Sequence, residues 1–213
     1  MTPARDDILG CVLAGGLSRR MGGGDKALLS VGGRPMLAHV VERLRPQVGA
    51  VILNANGNPQ RFGEFDLPVV ADTVEGFAGP LAGVLAAMRH AEGCGGFSHV
   101  ATAASDTPFF PTDLVAKLAD EAMTPDTIVL ATSDGNRHPV FGLWPVALAD
   151  DLETWLTAGE TFKVLAWVHR HRLATVDFPM SLRVGERIDP FFNANTPDDI
   201  VAAERILQEQ SSS

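Results

Sequence analysis

Five short apolar runs punctuate the first 131 residues, each closed by small or polar residues and separated from the next by helix-forming sequence. They are Ile8–Leu13, Ala50–Leu53, Pro68–Ala71, Ser98–Ala103 and Thr127–Ala131. A short run that is apolar throughout, rather than at alternate positions, suits a strand buried on both faces. The segments between the runs supply the covering layers. Pro35–Leu44 places Leu37, Val40, Val41 and Leu44 on one helical face with a proline in the first turn. Pro80–Arg89 has helical composition and also opens on proline, and Thr112 is positioned to cap a helix over Asp113–Met123. The pattern predicts an α/β fold, a three-layer sandwich around a mostly parallel, Rossmann-like central sheet. Ligands of such sheets sit at the carboxyl ends of the strands, where the loops converge.

The loop after the first run is the richest in chemistry. Leu13–Lys26 reads LAGGLSRRMGGGDK, with five glycines among fourteen residues and three cations, Arg19, Arg20 and Lys26. Glycine lets backbone N–H groups approach a ligand closely, and cations among such amides complete a cradle for an anion. A nucleoside triphosphate is the anion that suits a loop of this size. The net charge of −9 makes the local concentration of cations more telling and argues against broad nucleic-acid binding. The loop lacks the Gly-Lys-Ser/Thr ending of a Walker A motif. Gly22, Gly24 and Ala27 match the spacing of a dinucleotide fingerprint, but nine residues past the strand end and without opening a helix, so a hydride-transfer reading loses its structural context.

Other polar residues close the later runs. Asn54 follows the second, Asp72 the third and Asp106 the fourth. Asp106, in Ala104-Ser105-Asp106-Thr107-Pro108, is the best metal candidate, because Mg²⁺ is commonly held by one or two carboxylates plus substrate phosphates. Taken alone it reads equally well as a turn aspartate before proline; the glycine loop beside it favours the metal. Asp72 carries the same two readings, and Asn56-Gly57 reads as a turn.

Several chemistries find little support. The six histidines form no H-x-x-x-H pair, Cys11 and Cys94 form no metal-ligand pattern, and no Gly-x-Ser-x-Gly elbow is present. His169 and His171, flanked by arginines, read as solvated surface, while His138 opens a strand beside Pro139 with no role assigned. No stretch is apolar enough to cross a bilayer and Met1–Asp7 has no apolar signal core, so a cytoplasmic protein without membrane partners is expected.

Beyond residue 131 the sequence predicts strands at Arg137–Trp144 and Leu173–Asp177 and helices at Ala147–Leu156 and Phe162–Val168. Thr196 and Pro197 start a last helix, with Asp198 and Asp199 complementing its dipole. With no linker between halves, residues 1–213 are expected to form one domain. Residues 6–131 bind nucleotide, 132–208 complete the cleft and 209–213 form a disordered tail.

The glycine loop resembles the signature of the molybdenum cofactor guanylyltransferases, within the wider nucleotidyltransferase superfamily. The likeness recurs at Leu53-Asn54-Ala55-Asn56, Asp72, Gly79-Pro80-Leu81-Ala82-Gly83, Asp106-Thr107-Pro108, His138-Pro139 and Asn193-Ala194-Asn195-Thr196-Pro197. Gly15, Gly16 and Lys26 are shared across the superfamily; Arg19-Arg20 with Met21-Gly22-Gly23, and the late Asn-x-Asn-Thr-Pro, narrow it. The resemblance implies GTP and Mg²⁺, with molybdenum-molybdopterin as acceptor and guanine dinucleotide and pyrophosphate as products. It implies that Leu13, Ala14, Gly15, Gly16, Arg20, Gly22, Lys26, Asn54, Asp72 and Asp106 contact nucleotide or metal. Lys26, Asp106 and Arg19 act in catalysis, with Asp106 as metal ligand, and guanine lies near Gly79 and Gly83. Asn193 and Asn195 meet the acceptor, and other cofactor-assembly proteins or acceptor molybdoenzymes are expected as partners. The open alternatives are a nucleotidyltransferase using CTP or a sugar phosphate, and a non-catalytic nucleotide sensor.

Overall fold

The computed structural model describes residues 2–15, 25–74, 79–159, 161–183 and 185–211. In chain order the strands are β1 (Ile8–Leu13), β2 (Ser30–Val31), β3 (Arg34–Pro35), β4 (Ala50–Asn54), β5 (Val69–Val70), β6 (His99–Ala104), β7 (Thr127–Ser133), β8 (Asn136–Pro145), β9 (Arg172–Asp177), β10 (Ser181–Arg183) and β11 (Glu186–Ile188). The helices are α1 (Met36–Leu44), α2 (Pro80–Cys94), α3 (Leu114–Asp120), α4 (Ala149–Ala158), α5 (Val164–Val168) and α6 (Pro197–Ser211).

Seven strands form the central sheet in the order β5-β4-β1-β6-β8-β7-β9, and β8 alone runs against the others. The two faces of β1 show why apolar runs make such a sheet. Ile8 and Val12 enter the core beneath α1 and α3, while Leu9 and Cys11 enter the core beneath α2, α4 and α5. Helices therefore cover both sides, as the uninterrupted apolar strands require. Burial pushes the Cys11 thiol up to about 12, against the pull of a hydrogen bond from the Asn54 backbone, which leaves it a protonated core side chain. A third apolar cluster joins Val31, Met36 and Phe109 to Ala194, Ala203 and Ile206, docking α6 against the β2–β3 hairpin.

The structure departs from the sequence reading in several places. The reversed direction of β8 follows from Asp134-Gly135, a two-residue connection with φ of 46° and 77°. That geometry is a tight hairpin turn, which forces an antiparallel partner for β7. The third helix is shorter than Asp113–Met123. Asp113, not Thr112, is its N-cap, and its carboxylate pairs with Lys117 at 2.8 Å instead of capping. From Glu121 the chain tightens into i→i+3 bonds, Glu121 N–H to the Leu118 carbonyl and Ala122 N–H to that of Ala119. The expected tail at 209–213 is helical through Ser211, because α6 propagates from the anchored Ala203 and Ile206. His171 is not solvated surface: its side chain is 14% exposed, 3.1 Å from Asp151 and edge-on to Trp167. His169 is exposed, beside Arg137.

Candidate active site at the carboxyl edge of the sheet

The ends of β5, β4, β1 and β6 lie side by side, and the polar residues that close them form two clusters flanking the end of β1. Ala14 N–H donates to the Asn54 carbonyl at 2.9 Å, and Ser105 N–H donates to the Leu13 carbonyl at 3.2 Å. Backbone bonds thus carry the sheet register one residue past the strands, so Gly15 leaves the sheet from a fixed point. Gly16, Arg19, Arg20 and Gly22 lie outside the described residues; the chain is described again from Asp25.

On the β4 side, Asn54 is buried and donates from Nδ2 to the Val70 carbonyl at 3.2 Å and to Asp72 Oδ1 at 2.9 Å. Asn56 closes the cluster reciprocally. Its Nδ2 donates to Asp72 Oδ2 at 2.7 Å, and its Oδ1 accepts from the Asp72 N–H at 2.9 Å. Both carboxylate oxygens of Asp72 are therefore occupied by amides, and Asn56 belongs to this network rather than to a bare turn. Gly83, in the first turn of α2, faces the same point. A Cβ there would collide with Asn54 Oδ1 and stand 2.8 Å from Leu13 Cδ2. Only glycine lets the helix approach so closely. Gly79 is the N-cap of α2, whose amino end opens at this edge.

On the β6 side, Lys26 Nζ donates to Asp106 Oδ2 at 2.5 Å and also to Asn195 Oδ1. The Lys26 and Asp106 side chains are 16% and 23% exposed, a mostly buried pair still reached by water. The 193–195 segment is fastened to the same strand end: Ala194 N–H donates to the Asp106 carbonyl at 2.9 Å, and Thr107 Oγ1 donates to Asn193 Oδ1. Asp199 in turn accepts from the N–H groups of Asn195 and Thr196, both at 2.8 Å. Burial raises the pKa of the Asp199 carboxyl, but these N–H donors and the Thr196 hydroxyl outweigh it and hold the group below the usual aspartate range.

Sequence reasoning did not find Arg61, whose Nε lies 2.7 Å from Asp25 Oδ2 and whose Nη2 donates to the Asn56 carbonyl at 2.9 Å. It ties the described end of the glycine loop to the Asn56–Asp72 cluster. Nothing in its local sequence marks it out, since the 3₁₀ segment Pro59–Phe65 that carries it has no periodic pattern.

The matching family model is decisive for relationship: residues 10–174 match the MobA-like NTP transferase domain. The chain belongs to the MobA-like NTP transferase family. Among relatives of this family member, the molybdenum cofactor guanylyltransferase of Rhizobium meliloti (strain 1021) is 52% identical over 197 residues, covering 92% of this chain and 90% of that protein. The enzyme of the same name from Mesorhizobium japonicum is 48% identical over 209 residues, covering 98% and 100%. The crystal structure of molybdopterin-guanine dinucleotide biosynthesis protein A from Archaeoglobus fulgidus superimposes with a TM-score of 0.71 at 26% identity, covering 94% of this chain and 98% of that one. The fold so matched is, in this chain, a mixed, mostly parallel seven-stranded sheet with helices on both faces.

The site's donors bear on the metal such enzymes imply. Among the described residues, Lys26 meets two oxygens, of the Asp106 carboxylate and the Asn195 amide, and Asn193 Oδ1 lies next to them on Thr107. No group of three or more His, Cys, Asp or Glu that could hold an ion exists among the described residues. That set fits Mg²⁺, which keeps most of its coordination sphere for phosphate and water, and fits poorly a metal needing a full protein cage. No helix among the described residues is long and apolar enough to cross a membrane.

Proposed function

We propose that the protein transfers GMP from GTP to the terminal phosphate of molybdenum-molybdopterin. One observation carries the reading: Lys26, from the end of the glycine loop, meets Asp106 at the end of β6 and Asn195 from the late segment. A carboxylate from the half read as nucleotide-binding and an amide oxygen from the half read as acceptor-binding thus both accept from the same Lys26 ammonium. The guanylyltransferases at 52% and 48% identity support the choice of substrates.

In this reading the acceptor phosphate oxygen bonds to the α-phosphorus of GTP, the α–β bridging bond breaks, and pyrophosphate leaves with the electron pair. Such transfers need positioning and charge stabilisation more than covalent chemistry. Leu13 and Ala14 contact the nucleotide, and amides of Gly15, Gly16 and Gly22 cradle the triphosphate together with Arg19, Arg20 and Lys26, which meet the charge that grows on pyrophosphate. Asn54 and Asp72 hold the nucleoside, and guanine lies near Gly79 and Gly83, at the amino end of α2. Asn193 and Asn195 meet the acceptor. Asp106 holds Mg²⁺, which when bound neutralises phosphate charge and polarises phosphorus. Lys26 therefore exchanges partners during loading, from Asp106 to phosphate. A cytoplasmic location goes with GTP as substrate, and the product passes to molybdoenzymes or to other assembly proteins.

The test is pyrophosphate release with molybdenum-molybdopterin and Mg²⁺, comparing GTP, CTP, ATP and UTP. GTP should exceed the others by at least an order of magnitude in kcat/KM. Preference for CTP, or release that does not depend on the acceptor, would refute the assignment.

A further inference from the structure

A partly buried polar cluster precedes the 193–195 segment and takes no part in the chemistry above. Ser133, the last residue of β7, is fully buried, and its Oγ lies 2.8 Å from Asp189 Oδ1 and 2.6 Å from His138 Nε2. His138 Nε2 is 3.9 Å from Asp189 Oδ2. These three residue types suggest a nucleophilic triad, but the protons run the wrong way. A serine hydroxyl has one proton, and an ionised carboxylate only accepts. The proton therefore goes to Asp189, and the Oγ lone pair accepts from His138 Nε2–H. No base is left to draw the proton off Ser133, so the cluster is a hydrogen-bond hub and not a nucleophile.

What the hub holds is the segment leading to the two asparagines. Asp189 Oδ1 also accepts from the Phe191 N–H at 2.8 Å. Phe191 is buried, with its ring centroid 4.4 Å from that of His138, 4.7 Å from Phe141 and 5.5 Å from Phe178. Aromatic packing alone tolerates small slides of the chain; a backbone N–H on a fixed carboxylate does not. Three residues on, Ala194 N–H reaches the Asp106 carbonyl, with Asn193 on Thr107 and Asn195 on Lys26. The stretch from Asp189 to Asn195 is pinned at one end by the hub and at the other by the strand that carries Asp106.

We propose that Ser133, His138 and Asp189 are positioning residues for the phosphate-bearing acceptor, fixing the 189–195 segment so that Asn193 and Asn195 meet it beside Asp106. The proposal rests on the reading that this segment contacts the acceptor. None of the three touches the nucleotide cluster at Asn54 and Asp72, so their loss should weaken acceptor use selectively.

The experiment measures KM for molybdenum-molybdopterin and for GTP, GTP affinity by calorimetry without acceptor, and thermal stability, in Asp189→Ala, Asp189→Asn and Asn193→Ala. Asp189→Ala should raise the acceptor KM by about tenfold, equivalent to about 1.4 kcal/mol, with GTP affinity within twofold. Asp189→Asn keeps an oxygen for Ser133 and Phe191 and should recover most of the loss. If both KM values rise together with a lower Tm and Asp189→Asn gives no rescue, the hub only supports the fold and the proposal is overturned. If Asn193→Ala raises the acceptor KM while Asp189→Ala does not, the positioning role fails and the acceptor reading stands. If neither changes it, the acceptor reading itself is wrong and the proposal falls with it. Should Asp189→Ala not fold, Ser133→Ala removes one oxygen and both of its contacts, and the same criteria apply.

Discussion

Two glycines on one helix should respond to alanine in opposite ways. Gly83 and Gly93 lie in the first and last turns of α2, and alanine is favoured over glycine in a helix by up to about 1 kcal/mol. At Gly93 a Cβ meets nothing within 4 Å, so Gly93→Ala should stabilise the protein by about 0.5–1 kcal/mol. At Gly83 the same methyl collides with Asn54 Oδ1 and stands 2.8 Å from Leu13 Cδ2 and 2.9 Å from Asn54 Cγ. Overpacking of this kind costs about 1–3 kcal/mol. Asn54 cannot move aside freely, because its Nδ2 serves both the Val70 carbonyl and Asp72, and each bond is worth about 0.5–1.5 kcal/mol. Subtracting the helix gain, Gly83→Ala should be destabilised by about 1–3 kcal/mol. GTP affinity should fall by about tenfold or more, since a tilted Asn54 or a displaced α2 reshapes the nucleoside site. Urea denaturation of both variants and titration with GTP·Mg²⁺ provide the comparison. If Gly83→Ala gains as much stability as Gly93→Ala and binds GTP as tightly as the parent, the close approach of α2 to Asn54 does not shape the site and the argument fails.

Lys26→Ala should lose a charge-assisted phosphate contact of about 1.5–3 kcal/mol; GTP affinity and turnover both within twofold of the parent would remove Lys26 from the phosphate. Asp106→Asn should lower turnover by at least about a hundredfold, on the scale of several kcal/mol that a metal contributes, yet bind GTP without metal at least as tightly as the parent; unchanged turnover at saturating Mg²⁺ contradicts the ligand role. Arg61→Ala should weaken GTP binding by about tenfold or less while folding is retained, because it frees Asp25 at a partly exposed pair of modest worth; unaltered affinity would make that clasp irrelevant to the loop. Burial pushes the His138 imidazole below the ordinary value of 6.5, against the pull of Asp189, so the folded state takes up its proton less readily than the unfolded chain. Its contribution to stability is complete above pH 6.5 and is lost as pH falls from there through the folded value; denaturation midpoints in His138→Gln should lack this acid-side decline, and an identical pH profile would count against the neutral imidazole.

The sheet was legible because its strands are apolar on both faces, and few architectures other than a helix-covered sheet bury such runs. Its one reversed strand was legible too, in Asp134-Gly135, but the parallel pattern on either side masks a two-residue hairpin signal. Asn54, Asp72 and Asp106 announced themselves as polar residues closing apolar runs, so their common edge followed from topology alone. Asn56 did not, because an asparagine before glycine is an ordinary turn residue until Asp72, sixteen positions on, is seen to use both ends of its amide. Arg61 and Asp189 escaped for the same reason. Their meaning lies in partners distant in sequence, Asp25 for one and Ser133 for the other, and no local spacing encodes such pairs.

The contact between Lys26 and Asp106 is where fold and chemistry constrain each other most. Two opposite charges at 2.5 Å, each mostly withdrawn from water, neutralise one another at the sheet edge proposed to receive a highly charged nucleotide. Without that partner, Asp106 would repel incoming phosphate and Lys26 would keep only the amide oxygen of Asn195 to fix its four-carbon stem. On the proposed reading, GTP with Mg²⁺ would bring both replacements at once, anionic oxygens for the lysine and a cation for the aspartate, so the exchange would conserve the sign of the neighbouring charge at each position. GTP alone satisfies only the lysine and strands the carboxylate beside phosphate. Nucleotide affinity should then depend on the metal, and that dependence should weaken when Asp106→Asn removes the stranded charge. A metal dependence equal in the parent and in Asp106→Asn would mean that the cation binds elsewhere, and that the pair at the end of β6 is only a structural bridge between β6 and the glycine loop.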